Sequence, residues 1–370
     1  MPSLTAVDFA ETPFVAIWET TRACDLACRH CRAEAIPEPQ PGELSTEEGS
    51  DILRELSGMG TPICILSGGD PAKREDLCQL VEYGNRLGMR MATIPAATPL
   101  LTRQLVSNLK EAGLAQMALS LDGPTAKVHD TFRRVDGAFE HTMQGAEWAR
   151  EVRLPLQINT TFSSYNLEHF EAMAATVGGL GAVFWEVFFL VPTGRGKEVG
   201  QLNAAQFEDL FSRLAKYSRK VDFIVKITEA PHYRRYLVQE HSKREGLSVE
   251  PAETEEGQLP WHMRRDFGPG GSIGLAPKGV NAGNGHLFVS YDGDIYPSGF
   301  LPVPCGNVRE SSLKEVYRTH PVFLELRDLN LLKGKCRVCG YRDICGGSRA
   351  RAFAMTGDYL AEEPFCAYVP

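Results

Sequence analysis

The stretch Phe14-Val-Ala-Ile-Trp18-Glu-Thr20-Thr-Arg-Ala-Cys24-Asp-Leu-Ala-Cys28-Arg-His-Cys31-Arg32 joins a short apolar run to three cysteines at Cys-x3-Cys-x2-Cys spacing. A short apolar run bounded by polar residues reads as a buried strand, so the thiols stand just past its C-terminal end. A four-iron cluster is ordinarily held by four thiolates. Three leave one iron open to chelate a small molecule. The alternative is a zinc knuckle, but structural zinc takes four protein ligands and often pairs two Cys-x2-Cys units. Nearby, His30 is the one further candidate ligand.

From this first strand the chain alternates. Apolar runs at 14–19, 62–67, 89–94, 115–122, 156–161 and 183–191 are separated by helical patterns. Ser45-Thr-Glu-Glu48 is a capping box before Ile52, Leu53 and Leu56, and Thr102 caps the run that holds Leu105 and Leu109. Six such units predict an α/β fold, a parallel sheet closing partway into a (β/α)6 barrel with its active site at the strands' C-terminal ends. A doubly wound sheet is the alternative, but no Gly-x-Gly-x-x-Gly follows the first strand. Past Gly200 the strict alternation ends. Helical patterns flank a strand-like run at 221–228, and 245–258 is polar and acidic. The segment from Gly268-Pro-Gly-Gly271 to Gly285 reads as a linker or a backbone-lined wall. Then Asp292-Gly293 between two apolar runs signals a hairpin. The expected division is a core barrel over 1–200, a linking and substrate-side segment over 201–285, and a small domain over 286–370.

The 370 residues carry a net charge of -8 from 47 acidic and 39 basic side chains, which leaves no footprint for nucleic acid or an anionic membrane. No apolar run approaches a membrane span, and the N-terminus lacks a basic segment followed by an apolar one. A cytoplasmic protein with a small-molecule or peptide substrate is expected. Ten cysteines in a reducing compartment argue for metal or redox chemistry, with disulfides as the bland alternative.

Polar residues at the strand ends mark ligand contacts at a barrel mouth. After the second strand comes Ser67-Gly68-Gly69-Asp70-Pro71, whose glycines let backbone approach a ligand. Ser120 ends the fourth strand, Asn159 lies in the fifth, and Arg133 follows His129-Asp130. Glu186, between Trp185 and Val187, would be a costly buried acid without a partner and would line the substrate side. In the tail Cys336-x2-Cys339-x5-Cys345 and Cys366 suffice for a closed cluster, with zinc as a rival.

Together these stretches resemble the radical S-adenosylmethionine (radical SAM) enzymes with a SPASM or twitch-type C-terminal domain. Within that group the chain is most similar to iron-coproporphyrin decarboxylases and their haem d1 relatives. The resemblance runs nearly full length, through Trp18-Glu-Thr-Thr-Arg22, Gly42-Glu-Leu-Ser-Thr46, Gly68-Gly-Asp-Pro71, Leu190-Val-Pro-Thr-Gly-Arg195, Cys305-Gly-Asn-Val308 and Cys345-Gly-Gly-Ser-Arg-Ala350. It implies a [4Fe–4S] cluster on Cys24, Cys28 and Cys31 that cleaves S-adenosylmethionine to a 5′-deoxyadenosyl radical. Gly68 and Gly69, with Asp70 in the acidic place, would contact the methionine amine. Ser120 and Asn159 would touch ribose or carboxylate, and Arg133 would be a carboxylate partner or a surface ion pair. It further implies an auxiliary [4Fe–4S] cluster on Cys336, Cys339, Cys345 and Cys366, serving as an electron relay, and a flavodoxin or ferredoxin as electron donor.

One departure matters. Where relatives with two auxiliary clusters carry further cysteines, this chain has Ser298 and Ser348, so Cys305 alone cannot hold the first of them. The implied substrate is a tetrapyrrole losing carboxyl groups, with a ribosomal peptide as the rival. Peptide enzymes of this kind often carry a leader-binding segment, and only the residues before Phe14 are available for one. Arg195, Arg234, Arg235, Arg264 and Arg265 are candidate forks for propionates, or solvated charges. A non-enzymatic iron–sulfur or zinc-stabilised binding protein would have no use for the 68–71 loop.

Overall fold

All six apolar runs form parallel strands, because each is covered on both faces, by helices outside and by the barrel lumen inside. The computed structural model describes residues 7–246 and 279–370. Its strands are β1 (Val15–Glu19), β2 (Ile63–Ser67), β3 (Arg90–Thr93), β4 (Gln116–Ser120), β5 (Leu156–Phe162) and β6 (Phe184–Phe189). Between them lie α1 (Thr46–Gly58), α2 (Leu77–Arg86), α3 (Arg103–Glu111), α4 (Ala126–Arg133), α5 (Ala138–Glu151) and α6 (Phe170–Gly179). The side-chain period of two splits each strand. Ala16, Trp18, Cys64, Leu66, Met117, Leu119, Trp185 and Val187 join the helices in the main core. The alternate residues Ile17, Ile65, Ala118 and Glu186 line the lumen.

Ser45 and Glu48 form the expected capping box on α1, and Thr102 caps α3. Within α1, Gly49 is required by packing, since a Cβ there would stand 2.2 Å from the Trp18 ring. The alternation does not end at Gly200. Helix α7 (Ala204–Ser218) opens with a second capping box, Asn203 with Gln206, and β7 (Ile224–Thr228) pairs parallel with β6. This unit is hard to read because β7 is half-buried throughout and alternates Lys226 and Thr228 with its apolar residues.

The hairpin forms where Asp292-Gly293 predicts it, between β8 (His286–Val289) and β9 (Ile295–Tyr296), with Gly293 at φ 93°. Its place in the fold is not readable from the sequence. Strand β8 lies parallel beside β1, pairing His286 with Val15, so one nine-stranded sheet runs β7-β6-β5-β4-β3-β2-β1-β8-β9. Among the described residues the further α-helices are α8 (Tyr233–Glu245), α9 (Leu313–Thr319), α10 (Pro321–Arg327), α11 (Gly334–Val338) and α12 (Arg349–Thr356). Tyr317 donates its hydroxyl to Phe9 O at 2.7 Å, and Arg309 pairs with Glu48 at 2.6 Å, which fastens the C-terminal segment to the barrel. The acidic stretch beyond Gly246, the glycines at 268–271 and the candidates Arg264 and Arg265 lie outside the described residues. Among the described residues no helix is long and apolar enough to cross a membrane.

Candidate active site

The cysteine loop leaves β1 and is fixed by backbone contacts from four directions. Cys24 N donates to Ile36 O at 2.7 Å. Glu43 accepts from Thr21 Oγ1 and Arg22 N at 2.9 Å each. Arg74 donates to Thr20 O and Leu44 O. The 190–195 stretch closes the far side. Arg195 donates from its backbone to Cys31 O at 3.1 Å and from its side chain to Cys28 O at 3.0 Å and Ala35 O at 3.1 Å. Gly194 sits at φ 55° with no room for a side chain, since a Cβ would lie 2.4 Å from Arg32 O. Arg195 is therefore a clamp on the cysteine loop, not a free fork for a propionate.

Cys24 and Cys28 are buried and Cys31 half-buried, and all three line one cavity. Their sulfurs take donors suited to thiolates: Leu26 N to Cys24 at 3.3 Å, Ala35 N to Cys31 at 3.4 Å and Arg133 Nη1 to Cys28 at 3.5 Å. Arg133 is in turn held by Asp122, which is completely buried. Burial pushes the free Cys24 thiol up to about 12 and raises Cys28 too. Such thiols give up their protons when a cation takes the protons' place. Among the described residues no three His, Cys, Asp or Glu side chains close around a single-ion site, whereas a four-iron cube spreads its thiolates more widely. His30 stacks on Phe132 at 4.5 Å, and burial lowers it to about 4.

Gly68, Gly69, Ser120, Arg133 and Asn159 line the same cavity. Each glycine does double duty. A Cβ on Gly69 would lie 2.3 Å from Ala23 O, and one on Gly68 2.6 Å from Thr21 O. Gly69 N and Asp70 N also donate to Thr21 O and Ala23 O at 2.7 Å. The second strand's loop is thus laid directly on the cysteine loop. Asp70 is not part of the cavity wall. It is fully buried behind the glycines, where its carboxylate accepts from Ala72 N, Ala96 N and Thr98 Oγ1 at 3.0 to 3.1 Å.

Strand register then carries a polar row from this cavity into the lumen: Ser120 pairs with Asn159, Asn159 with Glu186, and Glu186 with Lys226. Glu186 has its partners, Lys226 at 2.9 Å, Gln157 at 2.7 Å and Thr228 at 2.5 Å. Burial alone would raise its carboxyl, but Lys226, Thr228 and Gln157 together hold it below the usual range. Glu186 and Lys226 line a second cavity of about 340 Å³ that shares Arg32, Ser67, Ile94, Phe188 and Phe300 with the first, of about 210 Å³. Facing that polar row is an apolar wall of Ile17, Ile63, Ile65 and Phe288. Sequence reading missed Lys226, Arg32 and His286 here. A lone cation in the period-two run of β7 was the available signal for Lys226.

The tail cysteines also come together. Burial, and then the charges of Cys336 and Cys366, raise the Cys339 and Cys345 thiols, Cys345 to about 12, and burial raises Cys366. Glu363 N donates to Cys336 Sγ at 3.3 Å and Gly347 N to Cys345 Sγ at 3.4 Å. Arg235 reaches Cys366 Sγ at 3.9 Å while bound to Glu208, so it serves this group instead of the lumen. Arg234 does line the lumen, with Nη1 on Ile344 O at 3.0 Å. Ser348 caps α12 and donates to Glu229 at 2.5 Å. Cys305 is buried with its thiol on Val303 O at 3.4 Å. Thiols with N–H donors to sulfur are the chemistry an iron–sulfur group takes.

Comparison with known proteins finds two domain families in the chain. Residues 18–177 match the radical SAM superfamily and residues 281–340 the SPASM iron–sulfur cluster-binding domain. The chain is 39% identical to the AdoMet-dependent heme synthase of Oleidesulfovibrio alaskensis over 95% of its own length and 87% of that protein. It is also 39% identical to the AdoMet-dependent heme synthase of Methanosarcina barkeri, over 98% of this chain and 99% of the other. In fold it is similar to Streptococcus suis SuiB bound to its precursor peptide, with a TM-score of 0.72 at 17% identity, covering 97% of this chain and 76% of that one. Iron–sulfur clusters and S-adenosylmethionine are accordingly its cofactors, and the chain belongs to the radical SAM enzymes with a SPASM domain, alongside the AdoMet-dependent heme synthases.

Proposed function

We propose that this enzyme oxidatively decarboxylates propionate side chains of an iron tetrapyrrole of the coproporphyrin type. The observation behind the reading is the two-sided lumen, apolar on Ile17, Ile63, Ile65 and Phe288 and polar on Gln157, Glu186 and Lys226. A flat macrocycle with carboxylates at its rim has that division, and the relatives named as heme synthases point the same way. When bound, the clusters and S-adenosylmethionine supply a 5′-deoxyadenosyl radical and an electron acceptor. In this reading each propionate loses one hydrogen atom, carbon dioxide and one electron, and a vinyl group remains.

The chain's own residues have separate tasks in this reading. Cys24, Cys28 and Cys31 hold the first cluster, and Cys336, Cys339, Cys345 and Cys366 the auxiliary one. Gly68, Gly69, Ser120 and Asn159 receive S-adenosylmethionine. Asp70 fixes the glycine turn, and Arg133 supports the Cys28 ligand. Lys226, braced by Glu186, presents charge to a substrate carboxylate. The electron donor is a flavodoxin or ferredoxin, in the cytoplasm.

Anaerobic incubation with iron-coproporphyrin III, S-adenosylmethionine and a reductant, followed by mass spectrometry, tests the reading. Loss of carbon dioxide mass with release of 5′-deoxyadenosine is expected. If 5′-deoxyadenosine accumulates while the porphyrin mass stays unchanged, the substrate is wrong, and modification of a peptide is next to be tried.

A further inference from the structure

His286 opens β8 on the inner side of the sheet and lines the lumen cavity. Its Nδ1 lies 3.1 Å from Pro297 O. A carbonyl only accepts, so Nδ1 carries the proton and Nε2 keeps the ring's lone pair. Pro297 is itself held, since its carbonyl also accepts from Gly283 N at 2.9 Å. Nε2 has no hydrogen-bond partner among the described residues. The ring feels Lys226, Glu186 and Arg32, which places it among the charged groups of the cavity, and burial lowers it to about 4, so the imidazole is neutral at ordinary pH.

A neutral imidazole with Nδ1 fixed on a backbone carbonyl and Nε2 open is the arrangement of a metal-ligating histidine. A histidine kept only for packing would have its second nitrogen satisfied or turned to bulk water. His286 belongs to neither cysteine set and does not line the cavity of Cys24, Cys28 and Cys31. We infer that His286 is the axial ligand, through Nε2, to the iron of the tetrapyrrole substrate in the lumen cavity. The inference rests on the tetrapyrrole reading above. It gives the site a fixed point from which the apolar wall packs one macrocycle face and Lys226 meets the rim, and it makes recognition depend on the substrate's metal.

The test uses the holoenzyme with two probes, iron(III) coproporphyrin III and the metal-free porphyrin, followed by their optical spectra and titration. In the wild type the iron probe should show the Soret shift of an imidazole complex, retained in its reduced carbon monoxide adduct. His286→Ala and His286→Gln should lose that shift, regain it on adding free imidazole, and bind metal-free porphyrin like the wild type. Iron content and thermal midpoint report whether each variant is folded, and the wild-type spectrum decides the point if neither is. A wild type that binds iron porphyrin without an imidazole-type spectrum overturns the proposal, as does an unchanged spectrum in both variants. Failure of the wild type to bind either porphyrin overturns the tetrapyrrole reading itself.

Discussion

Arg133 donates one guanidinium nitrogen to the Cys28 sulfur at 3.5 Å and the other to Asp122, a carboxylate with no exposure. The pair carries charge into the cysteine site without leaving either partner alone. Removing the cation strands a buried carboxylate, which costs on the order of 3–5 kcal/mol. Arg133→Ala should therefore lower stability by about that much and reduce iron retained at the first cluster. Arg133→Lys keeps a charge but not the fork and should lose less. Anaerobic denaturant unfolding with iron analysis reads both effects.

The two cysteine sets, three thiols with one iron left open and four that close a cluster, predict about eight irons and eight acid-labile sulfides per chain, against about four irons and one zinc if the tail binds zinc. Cys336→Ala should then depress product formation more than S-adenosylmethionine cleavage. An equal fall in both, with the fold intact, would show that the auxiliary group does not act downstream of the radical.

The loop from β2 rests on the cysteine loop with no space between them. Gly69→Ala would drive a methyl group to 2.3 Å from Ala23 O, and Gly194→Ala adds a positive φ to a 2.4 Å contact with Arg32 O. Each should cost about 1–3 kcal/mol and displace the thiols. Thermal unfolding and iron occupancy should fall together in both variants, whereas Gly88→Ala, at φ 87° with nothing within 4 Å, should lose stability alone.

Lys226 is a third exposed, and Glu186 is its one hydrogen-bond partner among the described residues. Lys226→Met preserves its length and removes the charge. If Lys226 meets a substrate carboxylate, kcat/KM for product should fall about 10- to 100-fold, the worth of a charge-assisted hydrogen bond. Steady-state kinetics with the iron porphyrin give the answer. A change under twofold would remove Lys226 from substrate binding.

His232 is fully buried between Phe207 and Phe211, at 5.2 and 5.0 Å, with neither ring nitrogen partnered. Burial lowers it to about 3, below the unfolded value of roughly 6.5. Below pH ~6.5 the unfolded chain binds the proton and the folded chain does not, so stability falls by up to about 1.4 kcal/mol per pH unit until the folded pKa is reached. His232→Leu should flatten this limb of the stability profile between pH ~6.5 and about 3. Denaturant midpoints measured across that range check it.

The sequence by itself determined the chemistry and most of the scaffold. Cysteine spacing, the Gly68-Gly69 turn and the capping residues act locally, through ligand geometry and backbone hydrogen bonds that near neighbours satisfy. Runs such as Ile63–Ser67 announce themselves because a strand covered on both faces is apolar throughout. Only the tertiary structure decided which polar groups meet. Glu186 looked like an unpaired acid until the register of β6 with β7 set Lys226 beside it. Arg195 and Arg235 looked like free cations until the fold set one on the cysteine loop and the other at Cys366. His286, in a hairpin far along the chain, entered the barrel only when β8 paired with β1. Pairings between strands depend on the whole sheet's register, and no local pattern of residues contains it.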